Sequence, residues 1–363
     1  MNSHSLVRAL LLPAGWLFGC AAWLRRWLFA KGVFKSYKPT IPVICVGNIA
    51  IGGTGKTPHA SYIIRLLSEK WNVAMLSRGY GRTSQGFVLA NTKAQEELTA
   101  ELIGDEPLLL HQRFPQLALA VDGDRKEGIQ KLRNYDPTID VVVMDDAYQH
   151  LSVTPSLRMV LTEFGRPYFE DVPMPAGRLR EFPSAVSEAD MVLVTKVDVS
   201  ADQINRAEWR KKMHLQPHQP LFFTHYRYCP PEPVTESALR HTPNANDRVV
   251  LLTGIAHPEP LVTYLKQHFE LYRHVSFPDH HRYAKFEIDL IRQHYFTQKD
   301  KNVIIFTTEK DWMRLQVEDV KKSASLLPIY ILPIEVDFLF ENEKDNFEKI
   351  LKENVRRTKE KSR

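Results

Sequence analysis

The string Ile51-Gly-Gly-Thr-Gly-Lys-Thr57 leaves few folds open. Before it stands the short apolar run Ile41–Val46, which reads as a buried strand. After it, Ala60–Leu67 carries apolar residues at helical spacing. A strand, a glycine-rich turn and a helix form the setting of a phosphate-binding P-loop. Backbone N–H groups of such a turn curl around phosphate oxygens, and the helix N-terminus adds partial positive charge. Gly52, Gly53, Thr54 and Gly55 would form the cradle. Lys56 would reach the β- and γ-phosphates, and the Thr57 hydroxyl would sit on Mg²⁺. One departure stands out: the strict pattern has its first glycine where this chain has Ala50.

A nucleotide site of this kind needs an acidic residue at the end of a buried strand. Asp140-Val-Val-Val-Met-Asp145-Asp146 supplies a pair of them, as candidate Mg²⁺ ligands beside the loop. Val73–Ser77, Leu117–Val121, Met159–Thr162 and Met191–Thr195 are further strands at the spacing of βαβ units. The expected fold is therefore α/β, with a P-loop NTPase-like, mostly parallel sheet flanked by helices. The last strand runs into Thr195-Lys-Val-Asp198, close to the guanine-reading Asn-Lys-x-Asp of GTPases. A GTPase or metal-insertion chaperone is thus a competing reading. Asp279-His-His281 suggests a metallophosphoesterase, but the companion Asp/His clusters are missing from the sequence and the P-loop would go unexplained.

The net charge of +5 is unevenly placed. Arg8, Arg25, Arg26, Lys31, Lys35, Lys38, Lys56 and Arg65 all precede the first acid, Glu69. The rest of the chain is weakly acidic, which argues against a nucleic-acid binder with a basic face. Six of these bases lie at or beside the uncharged run Ala9–Leu24, together with Trp16, Trp23 and Trp27. Tryptophans and bases flanking an apolar run suit an anionic membrane surface, and the expectation is a helix in or on the membrane. The alternative is a core helix docked on the body. Cys20, Cys45 and Cys229 lie far apart, which excludes a disulfide framework and fits a reducing compartment.

Several other strings combine charge with turn residues: Ser77-Arg-Gly-Tyr-Gly-Arg82, Gly104-Asp-Glu-Pro107, Asp122-Gly-Asp-Arg125, Asp145-Asp-Ala-Tyr-Gln-His150 and Pro175-Ala-Gly-Arg-Leu-Arg-Glu181. Together with Thr253-Gly-Ile-Ala256, Asp279-His280 and Thr308-Glu-Lys-Asp311, they make the chain resemble the tetraacyldisaccharide 4'-kinase (lipid A 4'-kinase) family over nearly its whole length. The chain has Ala147-Tyr148 where that family usually has Gly-Phe, and Arg178 where it has Pro. The resemblance implies ATP- and Mg²⁺-dependent phosphorylation of the 4'-hydroxyl of a tetraacylated glucosamine disaccharide 1-phosphate. It implies action at the cytoplasmic face of a Gram-negative inner membrane. It nominates Asp105 as catalytic base with His280 as its partner, and Glu181 as a further metal ligand. Tyr80, Arg125, Gln149 and Arg180 match motif positions that would contact substrate or phosphates. The expected organisation is a membrane-associated helix over 1–35, a P-loop kinase domain over 36–212 and a smaller α/β lobe over 213–363. The basic stretch Arg356–Arg363 is expected to be a frayed tail.

Overall fold

The computed structural model describes residues 3–94, 97–295 and 303–361. The chain begins with α1 (Ser3–Ala30), β1 (Val43–Gly47), α2 (Lys56–Ser68), β2 (Val73–Ser77), β3 (Val88–Leu89), α3 (Ala100–Ile103) and α4 (Asp105–Arg113). It continues through β4 (Ala118–Val121), α5 (Arg125–Tyr135), β5 (Val141–Asp145), β6 (Leu157–Glu163), β7 (Met191–Thr195), α6 (Arg206–Lys212) and β8 (Leu221–Tyr228). Then follow β9 (Glu232–Pro233), β10 (Arg248–Thr253), α7 (Glu259–His268), β11 (Glu270–Ser276), α8 (Lys285–Tyr295), β12 (Val303–Thr307), α9 (Glu309–Leu315) and α10 (Glu318–Ala324). The last elements are β13 (Ile329–Ile331), β14 (Ile334–Phe338) and α11 (Glu341–Lys361).

Nine strands form one sheet in the order β14-β8-β7-β6-β1-β5-β2-β4-β3. Its centre is parallel, and only the edge strands β3 and β14 run antiparallel to their neighbours. Side chains of β1 alternate between two cores: Val43 and Cys45 enter one, Ile44 and Val46 the other. Burial on both faces explains why the strands read as unbroken apolar runs. β1 pairs with β5 on one side and β6 on the other, so the strand order reverses there. Ligands of open α/β sheets bind beyond the strand ends at such a switch point. Both the glycine-rich loop and Asp145 lie there.

The second sheet has the order β11-β10-β12-β13-β9. The expected boundary at 212/213 differs from this topology. β8 pairs in parallel with β7, and β14 returns to pair with β8. Phe347 and Leu351 of α11 are buried in a core of the large sheet. The second lobe is thus an insertion between β8 and β14. The turn before β8 is proline-rich too, but only Pro230-Pro-Glu-Pro233 marks the crossing. The expected frayed tail is also corrected. Helix α11 continues to Lys361, Val355 is buried, and Lys359 pairs with Asp140.

Helix α1 combines the two readings of its sequence. One stripe docks: a Cβ on Gly15 would stand 2.7 Å from the Pro173 carbonyl, and one on Gly19 would collide with the Phe182 ring. Arg26 lies on the same side, buried, with its guanidinium 2.6 Å from both Glu181 and Glu188. Arg26 is therefore a docking residue rather than a headgroup ligand, and Arg25 donates to the Gln149 carbonyl at 3.0 Å. The opposite side exposes Leu10, Leu17 and Leu24 at seven-residue spacing; Trp16, Trp23 and Trp27 are exposed beside the docking stripe, and Trp16 meets Phe182 edge-on. Val7–Ala30 is long and apolar enough to cross a membrane, and most of it is not buried by the protein.

The Arg26–Glu181 pair is expected to matter for docking. Removing one partner of a buried ion pair costs about 3–5 kcal/mol, because a charge is left without compensation. Arg26→Ala should lower the melting midpoint and speed proteolysis across Lys31–Lys38. Burial already raises the Glu181 pKa against the pull of Arg26. Without Arg26 it rises further, so the defect should be largest at high pH and shrink as the pH falls and Glu181 takes up a proton. Equal melting and cleavage in both proteins would contradict this account.

Candidate active site

The glycine-rich loop leaves β1 and enters α2 at Lys56. Gly52 and Gly55 have φ of +109° and +85°, which an L side chain resists. A Cβ on Gly55 would also collide with the Tyr226 hydroxyl. The loop is braced from behind: Asn48 Nδ2 donates to Thr54 Oγ1 at 2.7 Å, and Thr195 Oγ1 donates to the Thr54 carbonyl at 2.9 Å. The Ala50 departure now has a reason. Ala50 forms an antiparallel bridge with Leu179, and Ile51 N–H donates to the Arg178 carbonyl. An extended, paired residue needs no glycine.

Lys56 Nζ stands 3.6 Å from Asp146 Oδ1. Arg180 grips the same carboxylate at 3.0 and 3.2 Å and approaches Gln149 Oε1 at 3.3 Å. Gln149 donates to the Asn48 carbonyl, tying this cluster to the end of β1. Asp145 is buried. Burial, with repulsion from Asp146 and Glu106, pushes its pKa up to about 7 against the attraction of Lys56. Thr57 is buried next to Lys56 in the first turn of α2. Among the described residues no three His, Cys, Asp or Glu side chains form a ready-made metal cage. Mg²⁺ does not require one: one or two carboxylates suffice when phosphates and waters complete its octahedron. Thr57, Asp145 and Asp146 fit that donor set: Asp146 is held ionised by Lys56 and Arg180, and the buried Asp145, which resists ionisation, is a charge that a divalent cation offsets.

Two sequence candidates stand elsewhere than expected. The Glu181 carboxylate is turned to Arg26 of α1, at 2.6 Å, rather than free for a metal. Arg125 is fully buried, so it presents nothing to a substrate in this structure. It donates to the Asp122 carbonyl, while its Nε and Nη2 have no partner among the described residues. Burial lowers its pKa to about 10, with Asp145 opposing. Its charge acts on Asp145 and Asp146 through the protein interior, which suits a buried counter-charge to the carboxylate pair. Tyr80 is fully accessible on its loop, at 79% exposure.

The second half of the site spans the lobes. Helix α4 starts at Asp105. It leads into parallel β4, which places its first residue at the carboxyl edge of the sheet. Asp105 Oδ2 lies 3.4 Å from His280 Nδ1, although 175 residues separate the two. His280 has φ of +59°. The expected Asp105–His280 proximity is present, with a third member that the sequence reading missed: Arg314 of α9. Its Nη2 and Nε lie 2.9 and 3.2 Å from the same Asp105 oxygen. Burial alone would raise the Asp105 pKa, but hydrogen bonds from His280 and Arg314 outweigh it and hold the value at about 2. The contact with Asp105 raises the His280 pKa in turn. Two neighbouring pairs, Lys310–Glu106 at 2.9 Å and Arg113–Glu309 at 3.1 Å, also join α4 to α9. The signal for them was Lys310 and Arg314 at i, i+4 spacing, after the quoted Thr308-Glu-Lys-Asp311 string.

The competing motifs have structural occupations. Lys196 Nζ pairs with Glu163 at 2.6 Å, and Thr195 braces the glycine loop. His281 pairs with Glu287 at 3.0 Å and stacks on Phe277. The Tyr148 hydroxyl donates to the Ala185 carbonyl, and Arg178 pairs with Asp171, so both departures from the usual family sequence pack loops.

A phosphate loop at the switch point of a mostly parallel sheet, facing paired carboxylates, defines the class of P-loop phosphotransferases. Within it the chain belongs to the tetraacyldisaccharide-1-P 4'-kinase family, whose model matches residues 7–356. A tetraacyldisaccharide 4'-kinase of Bacteroides thetaiotaomicron is 39% identical over 360 residues, covering 96% of this chain and 93% of that protein. One of Flavobacterium johnsoniae is 38% identical, covering 97% of this chain and 99% of its own length. The crystal structure of LpxK from Aquifex aeolicus, in complex with ATP, matches with a TM-score of 0.73 at 24% identity. It covers 96% of this chain and 99% of the other, and carries the fold assignment. The GTPase and phosphoesterase readings are not favoured by these relationships.

Proposed function

We propose that the chain transfers the γ-phosphoryl group of ATP to the 4'-hydroxyl of a tetraacylated glucosamine disaccharide 1-phosphate. This is a step of lipid A biosynthesis. The observation that supports it best is the pairing of two half-sites at one sheet edge: Lys56 with Asp145 and Asp146, and Asp105 with His280. Phosphoryl transfer is mostly positioning and charge neutralisation. The glycine loop from Gly52 to Gly55 holds the phosphate chain, and Lys56 neutralises it. Thr57, Asp145 and Asp146 hold Mg²⁺, which when bound balances charge on the β- and γ-phosphates. Arg180 and Gln149 keep Asp146 in place. Glu181 acts through α1 rather than on the metal, and Tyr80 offers a substrate contact from its loop.

As the acceptor oxygen bonds to phosphorus, the bond from phosphorus to the ADP oxygen breaks. The hydroxyl proton then becomes acidic and passes to Asp105, with His280 beside it to share the charge. The test is incubation with ATP, Mg²⁺ and the tetraacyldisaccharide 1-phosphate in mixed micelles, followed by mass analysis. One added phosphate is expected. An unmodified lipid, or GTP used in preference to ATP, would overturn the proposal.

We place the enzyme at the cytoplasmic face of the inner membrane of a Gram-negative bacterium, where ATP and the acylated substrate meet. The exposed side of α1 supports this. Leu10→Glu and Leu17→Glu, both on the side opposite the docking stripe, should each weaken co-sedimentation with anionic vesicles about tenfold or more. Unchanged sedimentation of both would remove α1 from the contact.

A further inference from the structure

The site described above leaves one buried charge without a role. Arg314 is 7% exposed, and no part of the proposed transfer uses it. Its guanidinium is held from several directions. Nη1 donates to the Gly254 carbonyl at 2.9 Å and to Asp311 Oδ1 at 3.2 Å. Asp311 is itself fully buried and fixed, accepting from the Gly254 N–H at 3.0 Å and from the Thr308 hydroxyl at 2.7 Å. With one end so fixed, the other end of the fork reaches across the lobes to Asp105 Oδ2. Among the described residues no hydrogen bond falls on Asp105 Oδ1.

The same guanidinium competes with His280. Arg314 Nη2 stands 3.1 Å from His280 Nδ1, which is also the nitrogen nearest Asp105. A protonated Nδ1 can donate to Asp105, and a bare Nδ1 can accept from Arg314. It cannot do both. Arg314 thus anchors Asp105 whichever tautomer His280 adopts.

We propose that Arg314 is a positioning residue for the phosphoryl transfer, clamping Asp105 Oδ2 across the lobe boundary and leaving Oδ1 as the oxygen that receives the acceptor proton. This deepens the kinase reading and rests on it. Two rigidly linked guanidinium N–H groups converge on one oxygen, Oδ2, and fix its position, which the single ammonium of a lysine does not reproduce. The charged groups that face Asp105 are Glu106 on its own helix, Arg314 from α9 and His280 from the facing loop; Lys310, Asp311 and Asp279 pair with those three in turn. Of these, Arg314 and His280 supply hydrogen bonds that hold its proton off.

The experiment compares the full chain with Arg314→Met and Arg314→Lys, each alone and combined with Asp105→Asn. Misplacing a reacting group by about an ångström costs about 10²-fold, and Arg314→Met should lower kcat by that much. KM for ATP should stay within about threefold, because the nucleotide loop is untouched. Arg314→Lys keeps charge but loses the fork, and should recover only part of the rate. In Arg314→Met burial raises the Asp105 pKa with less opposition, so rate loss on the acid side that depends on Asp105 should begin at higher pH than in the parent, where Asp105 stays ionised. In the Asp105→Asn background either substitution should cost less than about threefold.

A loss as large in that background as in the parent would overturn the proposal, as would unchanged turnover. If Arg314→Met does not fold, the same comparison with Arg314→Lys decides. A second readout needs no activity: ¹³C-carboxyl titration of Asp105, assigned by its loss in Asp105→Asn. The carboxyl should titrate at higher pH in the Arg314 variants, and superimposable titrations would overturn the clamp. Parental lipid phosphorylation in the same assay tells failure of the clamp from failure of the kinase reading.

Discussion

Replacing Lys56 with alanine is expected to lower kcat by about 10²–10³-fold, the usual loss when one preorganised electrostatic partner of a transition state is removed. The γ-phosphoryl group spreads negative charge over its equatorial oxygens as it transfers, and in the proposed reaction the cation that meets it is Lys56, at the start of α2. The loss should fall mainly on kcat, because the glycine loop still offers its backbone N–H groups to bound nucleotide. The fold should survive. Asp146 keeps Arg180 as a partner. Asp145, whose pKa already stands near 7, can take up a proton when Lys56 no longer attracts its ionised form. Steady-state kinetics with a circular-dichroism melt would check both parts. A folded Lys56→Ala protein within threefold of the parent would show that the loop is not a working phosphate site.

The parts of this molecule that were legible in the sequence are those written in local pattern. Val73–Ser77 and Met191–Thr195 coincide with β2 and β7 because strands buried on both faces become unbroken apolar runs. The phosphate loop was legible because its chemistry needs fixed spacing between glycines, Lys56 and Thr57. The topology was not. Whether Leu221–Tyr228 opens a new lobe or closes the old sheet depends on its pairing with β7, a contact between distant segments that no periodicity records. The same limit hid the partners of charged residues. Arg26 read as a headgroup ligand because it sits in a basic cluster, yet its carboxylates lie 155 and 162 residues away. Arg125 read as a substrate or phosphate contact from its motif position, yet it is among the largest fully buried side chains. Arg314 carried only a helical spacing from Lys310, and its meaning appears when α9 is laid against α4.

The second large effect concerns Asp105, and two substitutions separate its two properties. Asp105→Ala removes both the proton acceptor and the partner of Arg314, leaving a buried guanidinium whose remaining carboxylate is Asp311. Asp105→Asn keeps an oxygen for Arg314 but has no basicity. General-base assistance contributes about 10²–10⁴-fold, so both variants should lose kcat in that range. If Asn retained most of the rate, Asp105 would be an inter-lobe tether and not the base. The pH dependence sharpens the test. The Asp105 pKa is depressed, so its ion pair stabilises the fold fully above the unfolded value of about 4 and fades as pH falls toward about 2. That window lies below the pH range of the assay, so Asp105 stays ionised throughout it. Any acid limb in the parent's rate between pH 5 and 7 must therefore come from another group, and should persist in whatever rate Asp105→Asn retains. A limb that vanished in Asp105→Asn would instead mean that the carboxylate titrates near neutrality, with His280 and Arg314 withdrawn from it during turnover. Its low resting pKa also fits the timing of the reaction. A weak base accepts the hydroxyl proton only once the new oxygen–phosphorus bond has made it acidic, which is the order a loose phosphoryl-transfer transition state requires.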